Sequence, residues 1–162
     1  MRPGAAGVRL WPMRPEDRRA LAAITQTPGQ EAVVSRFDEL PPAARRRHHI
    51  HVIGQDGGPV GFFRIDPDFN RRDPRLPRGA HGLRGLLIDA GRQRAGIGKA
   101  AFARLPDYTR EHYPALKALW LTVDALNAPA IGLYAQSGWT ADALPPFPGH
   151  DGPERVFRLN LG

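Results

Sequence analysis

Apolar positions along the chain recur with two periods, and the switches between them mark the elements. Val8-Arg9-Leu10-Trp11 alternates as a first strand. Pro15-Glu16-Asp17 supplies the proline and acidic residues favoured at a helix start, with Leu21 and Ile24 on the buried side. Val33, Val34 and Phe37 predict a second short helix over residues 31–40, stopped by Pro41-Pro42. Ile50-His51-Val52-Ile53 and Val60-Gly61-Phe62-Phe63-Arg64-Ile65 flank Asp56-Gly57-Gly58, a hairpin signature. A polar, proline- and arginine-rich connection spans 67–81. Leu83-Arg84-Gly85-Leu86-Leu87-Ile88 then reads as a strand, and Ala100-Ala101-Phe102-Ala103-Arg104-Leu105 as the first turns of a helix that Pro106 should kink or split. Ala118-Leu119-Trp120-Leu121-Thr122-Val123 is the next strand. Residues 127–136 form a helix with Pro129 near its start and Gly138 just past its end. Residues 139–143 and 156–161 close the chain as a strand pair across a Pro/Gly-rich loop. The order β-α-α-β-β-β-α-β-α-β-β predicts an α/β fold (an α+β mixed sheet with helices on its faces), and 162 residues without repeat or linker predict one domain, 1–162.

Composition removes several classes of chemistry. No cysteine means no disulfide, thiolate metal site or Cys nucleophile. The net charge of +7 is almost all arginine, since Lys99 and Lys117 are the only lysines. The clusters Arg45-Arg46-Arg47 and Arg71-Arg72 with Arg75 and Arg78 lack interleaved aromatic residues, and no helix-turn-helix or zinc-finger spacing occurs. They read as solvated faces, so nucleic acid is not the expected partner. Residues 1–10 lack a signal-peptide core and no run approaches a membrane span, which predicts a cytoplasmic protein with no membrane partner. His49 and His51 share one face of a strand, but without a third ligand they read as an edge-strand pair, and no metal site is expected. Trp11, Phe62, Phe63, Phe102, Trp120 and Trp139 read as core.

The most informative segment is Gln93-Arg94-Ala95-Gly96-Ile97-Gly98-Lys99, a glycine turn at a strand-to-helix junction. Crowded backbone N–H groups at the positive end of a helix make a site for phosphate oxygens. Three readings compete. Gly91-x4-Gly96 suggests a P-loop, yet Lys99 is out of register and Ala100 replaces the required hydroxyl. Gly96-x-Gly98-x-x-Ala101 with Asp124 fits a dinucleotide fingerprint. Against it, too little chain follows Asp124 for further parallel strands, and a hairpin meander precedes the turn. In the third reading, Gln93-x-x-Gly96-x-Gly98 followed by Asn127-x-x-Ala130-x-x-Leu133-Tyr134-x-x-x-Gly138-Trp139 resembles the two signatures of the GNAT superfamily of acetyl-CoA-dependent N-acetyltransferases. The likeness covers about residues 8–161 and is strongest over 83–139. Residues 88–101 are similar to bacterial polyamine and small-amine acetyltransferases.

That resemblance implies a central mixed twisted sheet splayed between strands four and five at a bulge. It implies acetyl transfer to a primary amine (a polyamine, amino-acid derivative or other small amine) by direct attack in a ternary complex. Acetyl-CoA is the donor and no metal is needed. Arg94, Ala95, Gly96, Ile97, Gly98 and Lys99 would hold the CoA pyrophosphate with Gln93. Leu86, Leu87 and Ile88 would line the pantetheine arm through their main chain, and the Ile88 N–H would polarise the thioester carbonyl. Asn127 is either a helix N-cap or a CoA contact. Tyr134 would protonate the departing thiolate, a task suited to a phenol. Where many relatives carry a glutamate on strand four this chain has Gly82, which leaves the general base among His81, Asp66, Asp89 and water. Gly82 is also the only support for a non-catalytic CoA-binding protein of the same fold. The acceptor, any acyl group other than acetyl and homodimer formation stay open; the arginines in 67–81 imply either a neutral or anionic amine, such as an amino-acid derivative, or arginines that point away from the acceptor.

Overall fold

Asp56 and Gly57 both adopt positive φ, 54° and 81°. That primed turn matches the twist of the strands it joins, β2 (His49–Gln55) and β3 (Gly58–Asp66). β1 (Arg9–Pro12) pairs antiparallel with β2 on its other side. The computed structural model describes residues 6–28, 34–93, 95–149 and 152–162. They fall into two compact units, Met1–Asp66 with Leu83–Arg104, and Pro67–Gly82 with Leu105–Gly162. β4 (His81–Ile88) and the sixteen-residue helix α3 (Ile97–His112) run through both.

In the first unit the strand order is β1-β2-β3-β4. Leu21, Ile24, Phe37, Leu40, Val52, Phe62 and Leu87 bury one core, with α1 (Arg18–Ala22) laid against it. Over the described residues 34–40 the expected helix is absent. Residues 29–33 lie outside the described ones, and Phe37–Glu39 is only a single 3-10 turn. The proline pair starts a helix instead of only ending one: α2 is Pro42–Arg47, with Pro42 in the first turn. A proline there lacks an N–H that would be unpaired anyway and presets φ. His49 and His51 are not an edge pair either, because β2 lies between β1 and β3. His51 is buried and stacked on Phe63 at 5.1 Å. Among the described residues no group of His, Asp or Glu could hold a metal ion. Trp11 is only partly buried, its Nε1 donating to Asp17 at 2.9 Å.

In the second unit, β4 meets β5 (Ala118–Asp124) in a parallel ladder whose register is His81↔Leu119 and Gly82↔Trp120. Gly85, which belongs to the first unit, takes φ +62°, a glycine kink within β4. β8 (Gly152–Asn160) runs antiparallel to β5 and separates it from β6 (Trp139–Ala141), while β7 (Phe147–Gly149) forms a short hairpin with β8. α4 (Ala128–Gln136) connects β5 to β6. The mixed sheet with flanking helices is thus the fold class read from the chain, with β7 as the one strand not foreseen.

Two expectations fail in this unit. Pro106 does not split α3. It forfeits one helical hydrogen bond at a cost of about 3 kcal/mol, but Phe102, Leu105, Tyr108 and Thr109 around it are all buried. Burial of such side chains is worth about 1.5–3 kcal/mol each, enough to hold the helix together. The 67–81 connection is a solvated arginine display only in part, at Arg71 and Arg78. Phe69, Leu76 and Ala80 enter a core with Trp120 and Val156. Arg72 grips Glu154 at 2.8 and 3.0 Å, and Arg75 grips Asp73 and the Pro145 carbonyl.

Candidate functional site

The first unit carries the glycine turn and the strand that leads into it. Gly96 sits at φ +80°, a conformation that only glycine enters cheaply. Its carbonyl accepts the Ala100 N–H at 3.0 Å, so α3 starts here. Helix geometry leaves the N–H groups of Ile97, Gly98 and Lys99 without intrahelical partners. Ile97 anchors the turn with a buried side chain, while Lys99 is exposed. Gly98 is different from Gly96: φ is not positive there, and a Cβ added to it would meet nothing within 4 Å. Neither backbone nor packing demands a glycine at 98. Gln93 ties the turn to the strand, Nε2 donating to the Ile88 carbonyl at 2.8 Å. Leu87 and Ile88 are buried and Leu86 partly so, which confines any role of Leu87 to its backbone. Arg94 lies outside the described residues.

The second unit carries α4. Asn127 is its N-cap, Oδ1 accepting the Ala130 N–H at 3.2 Å. Gly138, at φ +89°, follows its C-terminus. Tyr134 packs its ring 5.9 Å from Phe157 and 6.2 Å from Trp139. Burial pushes its phenol above the usual tyrosine range, so it stays protonated at neutral pH.

The structure sorts the candidate bases. Asp89 is a clamp: Oδ1 accepts from Thr25 N at 2.8 Å and Thr25 Oγ1 at 2.9 Å, and Ala90 N returns a bond to the Thr25 carbonyl. Burial opposes ionisation of Asp89, but the Thr25 bonds and the amides of Gly91 and Ala90 outweigh it and hold the carboxyl below its usual range. A depressed folded pKa gives stability that is present above the unfolded value, near 3.9, and is lost as pH falls through the folded value. Asp89→Ala should therefore lower unfolding free energy by about 2 kcal/mol at pH 7. Denaturant melts should show this deficit shrinking below about pH 4. Asp66 is also committed, receiving Arg84 Nη1 at 3.3 Å and lying 3.3 Å from His48 Nε2. His81 is the exception. Its Nδ1 is 2.8 Å from the Gly79 carbonyl, which can only accept, so the proton is on Nδ1 and the Nε2 lone pair can take another.

Gly82 has a packing cause that the sequence did not reveal. A Cβ there would lie 2.1 Å from Cγ of Phe69, whose buried ring covers the glycine. An aromatic residue from 67–81 thus fills the space that a side chain at 82 would need. Sequence reading also missed the contact between buried Arg64 and half-buried His48, although an arginine inside an apolar strand run was a usable signal.

The comparisons agree with this geometry. The acetyltransferase (GNAT) family model matches residues 12–139. An aminoglycoside acetyltransferase AAC(6')-Ib solved with coenzyme A has TM-score 0.73 at 16% identity, with 95% of each chain covered. The ribosomal-protein-S18-alanine N-acetyltransferase from Escherichia coli has TM-score 0.58 at 20% identity, covering 96% of this chain and 94% of that one. A spermidine N-acetyltransferase SpeG chimera from Vibrio cholerae and hSSAT has TM-score 0.68 at 16% identity, with 96% of each chain covered. No curated protein matches the sequence significantly. At such identities the neighbours speak for the fold, and the family model, spanning most of the chain, speaks for kinship: this chain belongs to the GNAT family of acetyltransferases and is an acyltransferase.

Proposed function

We propose that residues 1–162 act as one catalytic domain that acetylates a primary amine, with acetyl-CoA as donor. The observation that supports this reading is the turn that leads into α3, where Gly98 leaves open space beside the first N–H groups of the helix. Acetyl-CoA supplies an activated acyl group: the amine nitrogen bonds to the carbonyl carbon while the carbon–sulfur bond breaks. The N–H groups of 97–99, with Lys99 and Arg94, bind the pyrophosphate. The main chain of Leu86, Leu87 and Ile88 orients the pantetheine arm, and the Ile88 N–H points a dipole at the carbonyl oxygen. Asn127 caps α4 and so presents Tyr134, which lies seven residues on along the same helix face. Tyr134 Oη gives its proton to the departing sulfur, and His81 Nε2 takes the proton lost by the amine.

Gly98 offers a test in which fold and ligand pull apart. Gly98→Ala should raise protein stability by about 0.5–1 kcal/mol, because alanine is the better helix former and its methyl meets no neighbour. The same methyl should weaken CoA binding about 10-fold by crowding a charge-assisted contact. Thermal melts and calorimetric titration of the one variant read both effects.

Gly82 favours a second reading, a CoA-binding protein without turnover, because the usual carboxylate is absent. Thiol release from acetyl-CoA over a panel of amines separates the two. Acceptor-dependent release with mass-detected N-acetyl product supports the enzyme. CoA binding without acetylation of any amine overturns it.

A further inference from the structure

Beside the glycine kink of β4, the first unit gathers charges that the acetyl-transfer reading does not use. Arg64 on β3 is only 8% exposed, and its Nη1 lies 2.8 Å from His48 Nδ1. A guanidinium only donates, so His48 Nδ1 accepts and the imidazole proton is on Nε2, facing Asp66 Oδ2 at 3.3 Å. Burial lowers the His48 pKa more than Asp66 raises it, which keeps the ring neutral. Arg84 Nη1 reaches the same Asp66 oxygen at 3.3 Å. The set is two guanidinium cations, one carboxylate and one neutral imidazole, a net charge of one positive.

That excess is under tension. Burial first, then the charge of Arg84, push Arg64 down to about 10. Arg64 Nε is buried without a hydrogen-bond partner among the described residues, and its Nε and Nη2 edge lies 2.9 and 2.8 Å from where a Gly85 Cβ would stand. Only a glycine lets the arginine sit against the kink. Arg84 is the accessible member, its side chain 32% exposed. Among the described residues only its Nη1 is bonded, which leaves Nε and Nη2 for an incoming group. Such an edge matches a carboxylate in a bidentate pair.

The carboxylates of the protein lead to the same conclusion from the other side. Among the described residues the buried ones are Asp17, Asp66 and Asp73, and each is already held by cations or donors. Asp89 is spent on Thr25 and Glu154 on Arg72. A polycationic acceptor would find no uncommitted inner carboxylate among the described residues.

We infer that the acceptor amine carries a carboxylate, and that Arg84, backed by the buried charge of Arg64, binds that carboxylate beside the β4 kink. This rests on the acetyltransferase reading and narrows it to amino-acid-like acceptors over polyamines.

The test is a set of matched acceptors: free amino acids and dipeptides, the same compounds as C-terminal amides, and spermidine. With wild-type protein, kcat/KM for the best carboxylate acceptor should exceed that of its amide at least about 10-fold, and spermidine should be poorer still. Arg84→Gln should bring the carboxylate acceptor down to the level of its amide, chiefly through KM, and Arg84→Lys should retain part of the difference. The CoA dissociation constant, measured on each variant, reports that the fold is kept. Amides or spermidine used as well as the carboxylates by wild type, or a carboxylate preference intact in Arg84→Gln, would overturn the inference while leaving acetyl transfer standing. CoA binding with no amine acetylated at all would remove the acetyltransferase reading, and this inference with it.

Discussion

Replacing Tyr134 with phenylalanine should lower kcat by about 100-fold or more, the usual contribution of a placed proton donor. The substitution removes one oxygen and leaves the ring contacts with Phe157 and Trp139 in place. CoA binding and thermal stability should therefore change little. Burial raises the phenol pKa, so the group is a weak acid that holds its proton until a strongly basic thiolate develops. Steady-state thiol release with a saturating acceptor measures the effect. Undiminished turnover in Tyr134→Phe would assign the tyrosine to the core and not to the chemistry.

His81→Gln should reduce kcat/KM for the amine about 100-fold near neutral pH. The glutamine can still donate to the Gly79 carbonyl but offers no imidazole lone pair. A lost base and a disturbed loop differ in pH dependence. At high pH more of the acceptor enters as the free amine, so a deficit due to the missing base should shrink as pH rises. A deficit that stays constant across the profile would point to structure alone. Gly82→Glu should not restore the activity, because Phe69 occupies the space that the longer side chain needs.

What the sequence made legible is what short-range chemistry controls. Asp56-Gly57 can adopt paired positive φ, Asn127 can cap, and Gly96 and Gly138 can turn the chain, whatever lies around them. These local signals set β2, β3, the start of α3 and the whole of α4. What stayed hidden depends on neighbours distant in sequence. Pro42 begins a helix and Pro106 sits inside one, since burial of Phe102, Leu105, Tyr108 and Thr109 outweighs a lost hydrogen bond. The insertion of β8 between β5 and β6 is a pairing choice that no local pattern records.

The candidate site divides in the same way. Gln93, Gly96, Gly98 and Tyr134 announce themselves by spacing within one motif. Phe69 over Gly82 and the Arg64, His48, Asp66 and Arg84 cluster do not, because each is assembled from separate segments. Arginines judged from the sequence to face solvent, Arg72 and Arg75, are bound to acids and a carbonyl. The arginine that governs the inferred acceptor site, Arg84, stands in a strand whose pattern after His81 is otherwise apolar.

The central claim is that the turn at 93–99 holds the pyrophosphate of CoA, and titration calorimetry with CoA, pantetheine and NADH tests it most directly. CoA should bind with one-to-one stoichiometry. Pantetheine, which lacks the pyrophosphate together with the 3′-phosphoadenosine, should bind at least about 100-fold more weakly through the loss of several charge-assisted hydrogen bonds, and NADH, which has a pyrophosphate but no pantetheine arm, should bind more weakly than CoA. Equal affinity for CoA and pantetheine, or binding of NADH without binding of CoA, would contradict the account.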